Sequence, residues 1–304
     1  MNSLFLIVLL CTYFCCKKEE LKSEVILKEE VLQPHVQLEG KPTYIDSTSL
    51  ISFHNKVLTD FYKSTNYRTV WQSKEKREVI LDKLFKSDQE GLNPEDYNIG
   101  KLFDFEKKAT ILDSLDLAKY DLLLTSSLQK YISHLTNGRL NPLKLYKNWD
   151  LKENEIDINA TVVQLLQSDS LAYKIEQLKP NHIVYKKLKK ALQLINTFPK
   201  DNFKPIKFTK TILANDTNPS VIDIKKRLIY WKELQPKDSL TPVYDEETVM
   251  ALKKFQSRHG LAIDAKIGPG TIASLNFSKN QRTQQILVNL ERWKWYPKQM
   301  GKEY

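Results

Sequence analysis

The sequence predicts a mainly α-helical protein with a larger helical domain, a small three-helix domain and a C-terminal helix. Apolar residues recur at helical spacing over long stretches, for example at Leu117, Tyr120 and Leu124, whereas segments with strand character are short, such as residues 209–213. The chain has 304 residues. Roughly 290 of them remain after a predicted leader, which favours two domains over one core.

The first 16 residues have the pattern of a lipoprotein signal peptide. An apolar run at residues 4–10 is followed by Cys15, Cys16 and charged residues. A helix of roughly 14 residues would reach about 21 Å, short of the roughly 30 Å hydrocarbon core, so a membrane-spanning anchor is not expected. No Lys or Arg precedes the run, and Tyr13 and Phe14 are larger than the residues usual at such a site. We predict lipidation at Cys16, with Cys15 and a plain cleaved signal as alternatives.

Residues 17–46 predict a flexible tether, because they are rich in Glu, Lys and Gln and carry no sustained apolar period. Residues 47–200 are predicted to form the larger helical domain. Two of its helices are expected to end at Gly91 and Gly138, since glycine accepts the left-handed conformation past a helix end. The apolar stripes of this domain are Leu50, Val57, Leu58 and Phe61; Ile80, Leu81, Leu84 and Phe85; Leu128, Tyr131 and Leu135; Val162, Leu165 and Leu166; and Tyr185, Leu188, Leu192 and Ile195.

The small domain is predicted for residues 215–278 and contains three short helices. Pro219 suits the start of the first helix, and Asp245 suits the cap of the second, which Gly260 stops. The turn before the third helix places Asp264 to accept local backbone N–H bonds. The apolar stripes are Val221, Ile224, Leu228 and Trp231; Val249, Leu252 and Phe255; and Thr271, Ile272 and Leu275.

The composition argues against several classes of function. The formal net charge is +10, but no zinc-finger, RRM or basic-zipper pattern accompanies it, so nucleic acid is not predicted as a partner. The five histidines are far apart in sequence, and we predict neither a metal site nor a cofactor. Neither the G-x-S-x-G nor the G-x-x-x-x-G-K pattern occurs. An acidic polymer is the partner that best suits the charge.

The small domain resembles a peptidoglycan-binding repeat. The positions that carry the resemblance are Tyr244-Asp245, Ala251, Phe255-Gln256, His259-Gly260-Leu261, Asp264, Ile267-Gly268, Thr271 and Leu275-Asn276. The repeat family usually has Gly where this chain has Ala265. The departure implies a cost of about 1–2 kcal/mol if the turn requires a positive φ at this position.

An earlier group of motifs resembles the scaffold domain of the large L,D-transpeptidases of the bacterial envelope. These motifs are Phe61-Tyr62, Trp71 and the residues at 90–97, 121–125 and 138–142. Residues 289–297 resemble the helix that leads, in the same family, from the repeat into the catalytic domain. Residues 280–304 are therefore expected to form a linker helix, and the order of scaffold, repeat and helix is that of the family.

The resemblance implies a peptidoglycan-binding protein of the cell envelope. The signal-peptide pattern predicts that it lies on the periplasmic side, held to the membrane by a lipid at Cys16. Family members attack with a cysteine thiolate, and the cysteines of this chain are Cys11, Cys15 and Cys16, so the chain as given is expected to be non-catalytic. The alternative is the N-terminal fragment of an active murein L,D-transpeptidase that makes 3-3 crosslinks in cell-wall biogenesis. The scaffold could also bind other cell-wall enzymes.

Candidate contacts with peptidoglycan lie at the end of the second helix of the repeat. Gln256, Arg258 and His259 fall off the apolar stripe and are expected to face outward, where they could bond sugar hydroxyls or stem-peptide carboxylates. Asp264 in the following turn completes the predicted set. Phe255 lies on the stripe and is expected in the core.

The predicted linker helix ends in three aromatic residues, Trp293, Trp295 and Tyr296. Each of these side chains buries about 150–250 Å² when packed, and a soluble monomer seldom exposes a contiguous apolar patch of several hundred Å². The sequence therefore predicts that another surface covers the rings. It leaves open whether that surface is the scaffold or a catalytic domain.

Overall fold

The structure, a computed structural model, describes residues 42–298 and confirms the predicted mainly α-helical fold. The predicted lipidation site at Cys16 lies outside the described residues. Within residues 42–298 the buried apolar side chains form two cores, one from Ile45 to Ile175 and the other from Tyr185 to Leu290. No helix in this part of the chain is long and apolar enough to cross a membrane.

The first core is built around the long helix α5. This helix begins after Asp113, whose carboxylate accepts the backbone N–H of Asp116, and ends at Gly138, which has a φ of +78°. Gly91 has a φ of +70°, so both glycines have the positive φ that the sequence predicts. Single 3-10 turns at Lys86–Glu90 and Pro94–Tyr97 join α3 to α4. The helices are α1 (Ser47–Ile51), α2 (Lys56–Ser64), α3 (Lys74–Phe85), α4 (Ile99–Lys107), α5 (Ser114–Asn137), α6 (Pro142–Leu145), α7 (Ile158–Leu166) and α8 (Leu171–Gln177).

Residues of the scaffold motifs form a buried hydrogen-bond network in this core. Asp121 on α5 accepts hydrogen bonds from the backbone N–H groups of Val70 (2.9 Å) and Trp71 (2.8 Å). It also accepts one from the Tyr62 hydroxyl at 2.5 Å. Thr125, one turn later, accepts a bond from the Trp71 indole at 2.9 Å. The network ties α2 and the segment before α3 to α5, and a buried acceptor that lost these donors would be costly.

The second core joins the small domain to two flanking helices. Pro219 precedes the first helix of the small domain, and the Asp245 carboxylate accepts the backbone N–H of Thr248 at 2.9 Å, as predicted. The predicted strand at residues 209–213 is reduced to one antiparallel bridge between Ile212 and Ile267. The helices of this core are α9 (Ile183–Asn196), α10 (Ser220–Tyr230), α11 (Glu246–Arg258), α12 (Pro269–Leu275) and α13 (Lys279–Lys294).

Helix α13 begins at the predicted linker and packs against α9 and the end of α5. Trp295, which directly follows the helix, is buried, with its ring centroid 5.7 Å from that of Trp149 and 6.1 Å from that of Tyr146. Trp293 contacts the ring of His182 at 5.2 Å. The scaffold side of the protein therefore buries Trp295, whereas Trp293 and Tyr296 stay half-buried.

The two glycine motifs of the scaffold form the docking surface for α13. A Cβ on Gly138 would lie 2.5 Å from a carboxylate oxygen of Glu291 and 2.7 Å from the indole nitrogen of Trp295. A Cβ on Gly91 would lie 3.1 Å from a methyl carbon of Leu290. Glycine at these positions thus serves close approach as well as helix capping.

Charged side chains also form hydrogen bonds between α13 and the scaffold. The Glu291 carboxylate accepts the backbone N–H groups of Arg139 (2.5 Å) and Leu140 (2.8 Å). Lys294 is fully buried, and its ammonium donates to the backbone carbonyl of Glu90 at 3.0 Å. Burial lowers the pKa of Lys294 to about 8.

The carboxylate of Glu90 joins α9 to the first core. It accepts hydrogen bonds from the Tyr185 hydroxyl at 2.8 Å, from Lys179 at 2.7 Å and from Lys189. Burial alone would raise the pKa of Glu90, but the attraction of Lys179 and Lys189 is larger, so the pKa is lowered. The two cores are thus joined by buried polar contacts as well as by helix packing.

Candidate functional site

The candidate site is the turn between α11 and α12, residues 259–268, with the last turn of α11. Its base is fixed by neighbouring segments. The Tyr244 hydroxyl donates to the carbonyl of Ala265 at 2.7 Å, and Ile212 and Ile267 exchange backbone hydrogen bonds of 3.3 and 3.1 Å. The turn is therefore held at several points and presents a defined surface.

Gln256 lies inside the turn, so its predicted outward orientation is wrong. It is 1% exposed, and its amide nitrogen donates to the Asp264 carboxylate (3.0 Å) and to the carbonyl of Lys266 (3.2 Å). Its amide oxygen accepts the backbone N–H of Ala265 at 3.0 Å. A residue off the apolar stripe can still be buried when the chain folds back over it and supplies polar partners. Gln256 thus positions the turn and has no exposed surface for a ligand.

Ala265 has the positive φ for which the peptidoglycan-binding family usually has glycine. It has a φ of +57° and is buried, so the turn does require the left-handed conformation at this position. An alanine there costs about 1–2 kcal/mol. The Gln256 and Tyr244 bonds to its backbone hold this conformation in place.

The turn of Asp264 forms as predicted. One carboxylate oxygen accepts the backbone N–H of Lys266 at 2.9 Å, and this bond is the main cause of the lowered pKa of Asp264. Asp264 and Lys266 are exposed, and Ile263 is 58% exposed. Ile263 and Lys266 were not among the predicted contacts, although their position beside Asp264 in a turn between two apolar helices was a usable signal.

Arg258 and His259 border this exposed turn from the end of α11. The Arg258 side chain is 56% exposed, and its guanidinium lies 3.1 Å from the carboxylate of Glu233, which is buried. His259 is half-buried against Phe255, with the ring centroids 4.2 Å apart. Burial lowers the pKa of His259 to about 4, so the ring is neutral at pH 7 and can both donate and accept hydrogen bonds.

Metal binding was considered for the described residues as well. Within residues 42–298 no group of three or more His, Cys, Asp or Glu side chains could hold a metal ion. The exposed turn carries one carboxylate, two cations, a neutral imidazole and an aliphatic side chain.

Comparison with known families assigns both parts of this fold. The scaffold-domain family matches residues 56–192, and the peptidoglycan-binding-domain family matches residues 217–275. No curated protein matches the chain. The chain therefore has a scaffold domain of the L,D-transpeptidase type followed by a peptidoglycan-binding domain, which confirms the resemblance read from the sequence.

These families define the protein as a peptidoglycan-binding protein related to L,D-transpeptidases and indicate association with the cell wall. The peptidoglycan-binding match includes the whole turn between α11 and α12. The family boundary and the core boundary differ at helix α9. The scaffold match includes the helix up to residue 192, whereas the buried side of the helix packs in the second core.

Proposed function

We propose that the turn between α11 and α12 is the surface through which this protein holds peptidoglycan, with Arg258, His259 and Asp264 as polar contacts. The observation that carries the proposal is the buried Gln256, which fixes the turn from inside and leaves these three side chains at its rim. Arg258 suits a stem-peptide carboxylate, and the neutral His259 suits sugar hydroxyls. Ile263 and Lys266 extend the same surface.

A sedimentation assay with purified sacculi tests the proposal. The unacylated chain of residues 17–304 should be pulled down, and the double variant Ile263→Asp/Lys266→Glu should lose most of the retention. Both substitutions lie on exposed side chains, so circular dichroism and the unfolding midpoint should stay unchanged.

The matched control carries the same chemistry on a different helix. Leu194→Asp/Lys187→Glu places one acid on an exposed aliphatic position and reverses one exposed lysine on α9. This control should bind sacculi like the parent chain. Equal retention of the parent and the turn variant would contradict the assignment of the binding surface.

The polypeptide of residues 17–304 is, in this proposal, non-catalytic. The support is chemical, because L,D-transpeptidases attack with a thiolate and every cysteine of this chain lies at or before Cys16. Incubation of residues 17–304 with muropeptides should give neither new crosslinks nor trimmed stem peptides. Product that disappears on substitution of one side chain of this polypeptide would overturn this part of the proposal.

The proposed location is the periplasmic side of the cell envelope, with the chain anchored by a lipid at Cys16. The support is the signal-peptide pattern together with the peptidoglycan-binding domain. Cys16→Ala should release the protein from the membrane fraction. A processed Ala variant that stays in that fraction and stays acylated would shift the modification to Cys15.

A further inference from the structure

A segment of the scaffold exposes an unusual set of side chains. Residues 140–152, which we call the Leu-Lys segment, contain helix α6 and the loop that follows it. Its exposed apolar side chains are Leu140 (52%), Leu143 (59%), Leu145 (54%), Tyr146 (40%) and Leu151 (37%). Isolated exposed leucines are ordinary, but a group of this kind within one short segment indicates an interaction surface.

The exposure is built into the fold, because the segment is fixed at both ends. At its start, the backbone N–H of Leu140 donates to the buried carboxylate of Glu291. Within it, the Asn141 side chain accepts the backbone N–H of Leu143 at 2.8 Å. Just after its end, the Asn154 side chain donates to the backbone carbonyl of Thr136 at 2.9 Å. The leucines therefore face solvent on a backbone that is held in place.

Within the segment the charges are mainly positive, and the exposed acids Glu153 and Glu155 follow it. Lys144, Lys147 and Lys152 lie in the segment, and Asp150 is its single acid. Helix α13 adds Arg292, whose guanidinium donates to the Tyr146 hydroxyl at 3.1 Å. Exposed leucine and aromatic side chains interleaved with cations are the pattern of a surface that lies in the headgroup region of an anionic bilayer.

The aromatic rings fit the same environment. The rings of Tyr146, Trp149 and Trp295 form one cluster, with centroids 5.7 to 6.2 Å apart. Tyr146 is exposed and Trp149 is half-buried, whereas Trp295 forms the buried base of the cluster. Tyrosine and tryptophan are enriched at the membrane–water interface, because each joins an apolar body to one polar group. Sugars are a weaker match for this surface, since leucine side chains offer no hydrogen bonds to hydroxyl groups.

We propose that the Leu-Lys segment docks on the surface of a membrane that contains anionic lipid, with its leucines at the acyl boundary and its lysines at the headgroups. The contact is separate from peptidoglycan binding and from the predicted acyl anchor. The tether that the sequence predicts has 30 residues, and a flexible chain of that length would have a root-mean-square reach of about 30 Å. An anchor at Cys16 would therefore keep the segment within reach of the same membrane.

Vesicle sedimentation with the unacylated chain of residues 17–304 tests this proposal, because no acyl chain contributes. The chain should bind vesicles of phosphatidylcholine with 30% phosphatidylglycerol, and binding to pure phosphatidylcholine should be much weaker. Lys144→Glu/Lys147→Glu should weaken binding by about 30-fold or more, since two favourable charges are lost. Leu143→Asp/Leu145→Asp should abolish it.

Matched controls separate the segment from general effects of charge and polarity. Lys187→Glu/Lys190→Glu reverses two exposed lysines on α9, and Ile111→Asp/Leu194→Asp changes two exposed aliphatic side chains elsewhere. Both controls should retain more of the vesicle binding than the corresponding segment variants. All variants should keep the parent's circular dichroism and its binding to sacculi.

Two results would overturn the proposal. The first is that the folded parent chain binds anionic vesicles no better than neutral ones. The second is that the segment variants bind as well as their controls. Concentration-dependent dimerisation that the leucine variant abolishes, without any vesicle binding by the parent, would instead assign the segment to contact between two copies of the chain.

Discussion

Gln256 is the residue on which the geometry of the wall-binding turn depends. Its amide forms hydrogen bonds with Asp264, Ala265 and Lys266, and the side chain is almost fully buried. Removal of such an amide leaves the buried N–H of Ala265 without an acceptor, which is more costly than the loss of an exposed bond.

We therefore expect Gln256→Leu to lower the free energy of unfolding by about 2–4 kcal/mol. Retention on sacculi should fall as well, because the turn loses its internal support. Urea denaturation followed by circular dichroism measures the first effect. The exposed neighbour Ser257 supplies the control, since Ser257→Ala should change stability by less than about 0.5 kcal/mol. A Gln256→Leu protein as stable as this control would show that the buried bonds contribute little.

The same residue marks the limit of prediction from the sequence. Periodicity placed Leu252 and Phe255 in the core correctly, because their burial follows from the helix alone. The burial of Gln256 depends on a turn that begins three residues later, at His259, and folds back over α11. Only the tertiary arrangement supplies its partners, so helical periodicity could not reveal them.

Helix α13 is the element that joins the two cores. It rests on the scaffold through Gly91 and Gly138, two residues that the sequence identified only as helix ends. The family resemblance pointed to both motifs and to the α13 motif, but it did not indicate that they contact one another. That contact joins residues about 150 positions apart, and no local pattern encodes it.

Gly138→Ala should disrupt this contact. The new Cβ would meet Glu291 and Trp295 at less than 3 Å, and Gly138 also has a positive φ. We expect a loss of at least about 2–3 kcal/mol in unfolding free energy. Gly100→Ala is the matched control, because Gly100 lies in α4 with no heavy atom within 4 Å of a new Cβ. Equal stability of the two variants would refute the docking role of Gly138.

The buried ammonium of Lys294 makes the same junction sensitive to pH. The unfolded chain holds this proton up to about the ordinary lysine pKa of 10.5, whereas the folded protein releases it above about pH 8. Between these values the unfolded state binds more protons, so this group makes stability rise with pH.

We expect the unfolding free energy of the parent chain, relative to Lys294→Met, to rise by about 1–2 kcal/mol between pH 7 and pH 9.5. The comparison with the variant removes the contribution of the other titrating groups. Urea denaturation at the two pH values supplies the measurement. A difference between the two proteins that stays constant with pH would mean that the Lys294 ammonium keeps its proton when buried.

Within residues 42–298 the protein has two hydrophobic cores, and its family match assigns peptidoglycan as its ligand. Its helical class, its family order and its caps at Asp245 and Gly91 were predictable, because they depend on local periodicity, local capping and motif order. The position of the boundary between the two cores was not predictable from these local signals. The scaffold match includes most of α9, up to residue 192, although Tyr185, Leu192 and Ile195 pack in the second core. A helix with one apolar stripe does not specify which neighbour it packs against.

The division into cores allows the wall-binding function to be located with two fragments. Residues 42–180 contain the first core, and residues 181–298 contain α9, the peptidoglycan-binding domain and α13. Each fragment should be checked for helical circular dichroism and a cooperative unfolding transition before binding is measured. The decisive measurement is the sedimentation of each folded fragment with purified sacculi, beside the chain of residues 17–304. We expect residues 181–298 to sediment like the full chain and residues 42–180 to stay in solution. Sedimentation of residues 42–180, with residues 181–298 left in the supernatant, would contradict the location of peptidoglycan binding in the small domain.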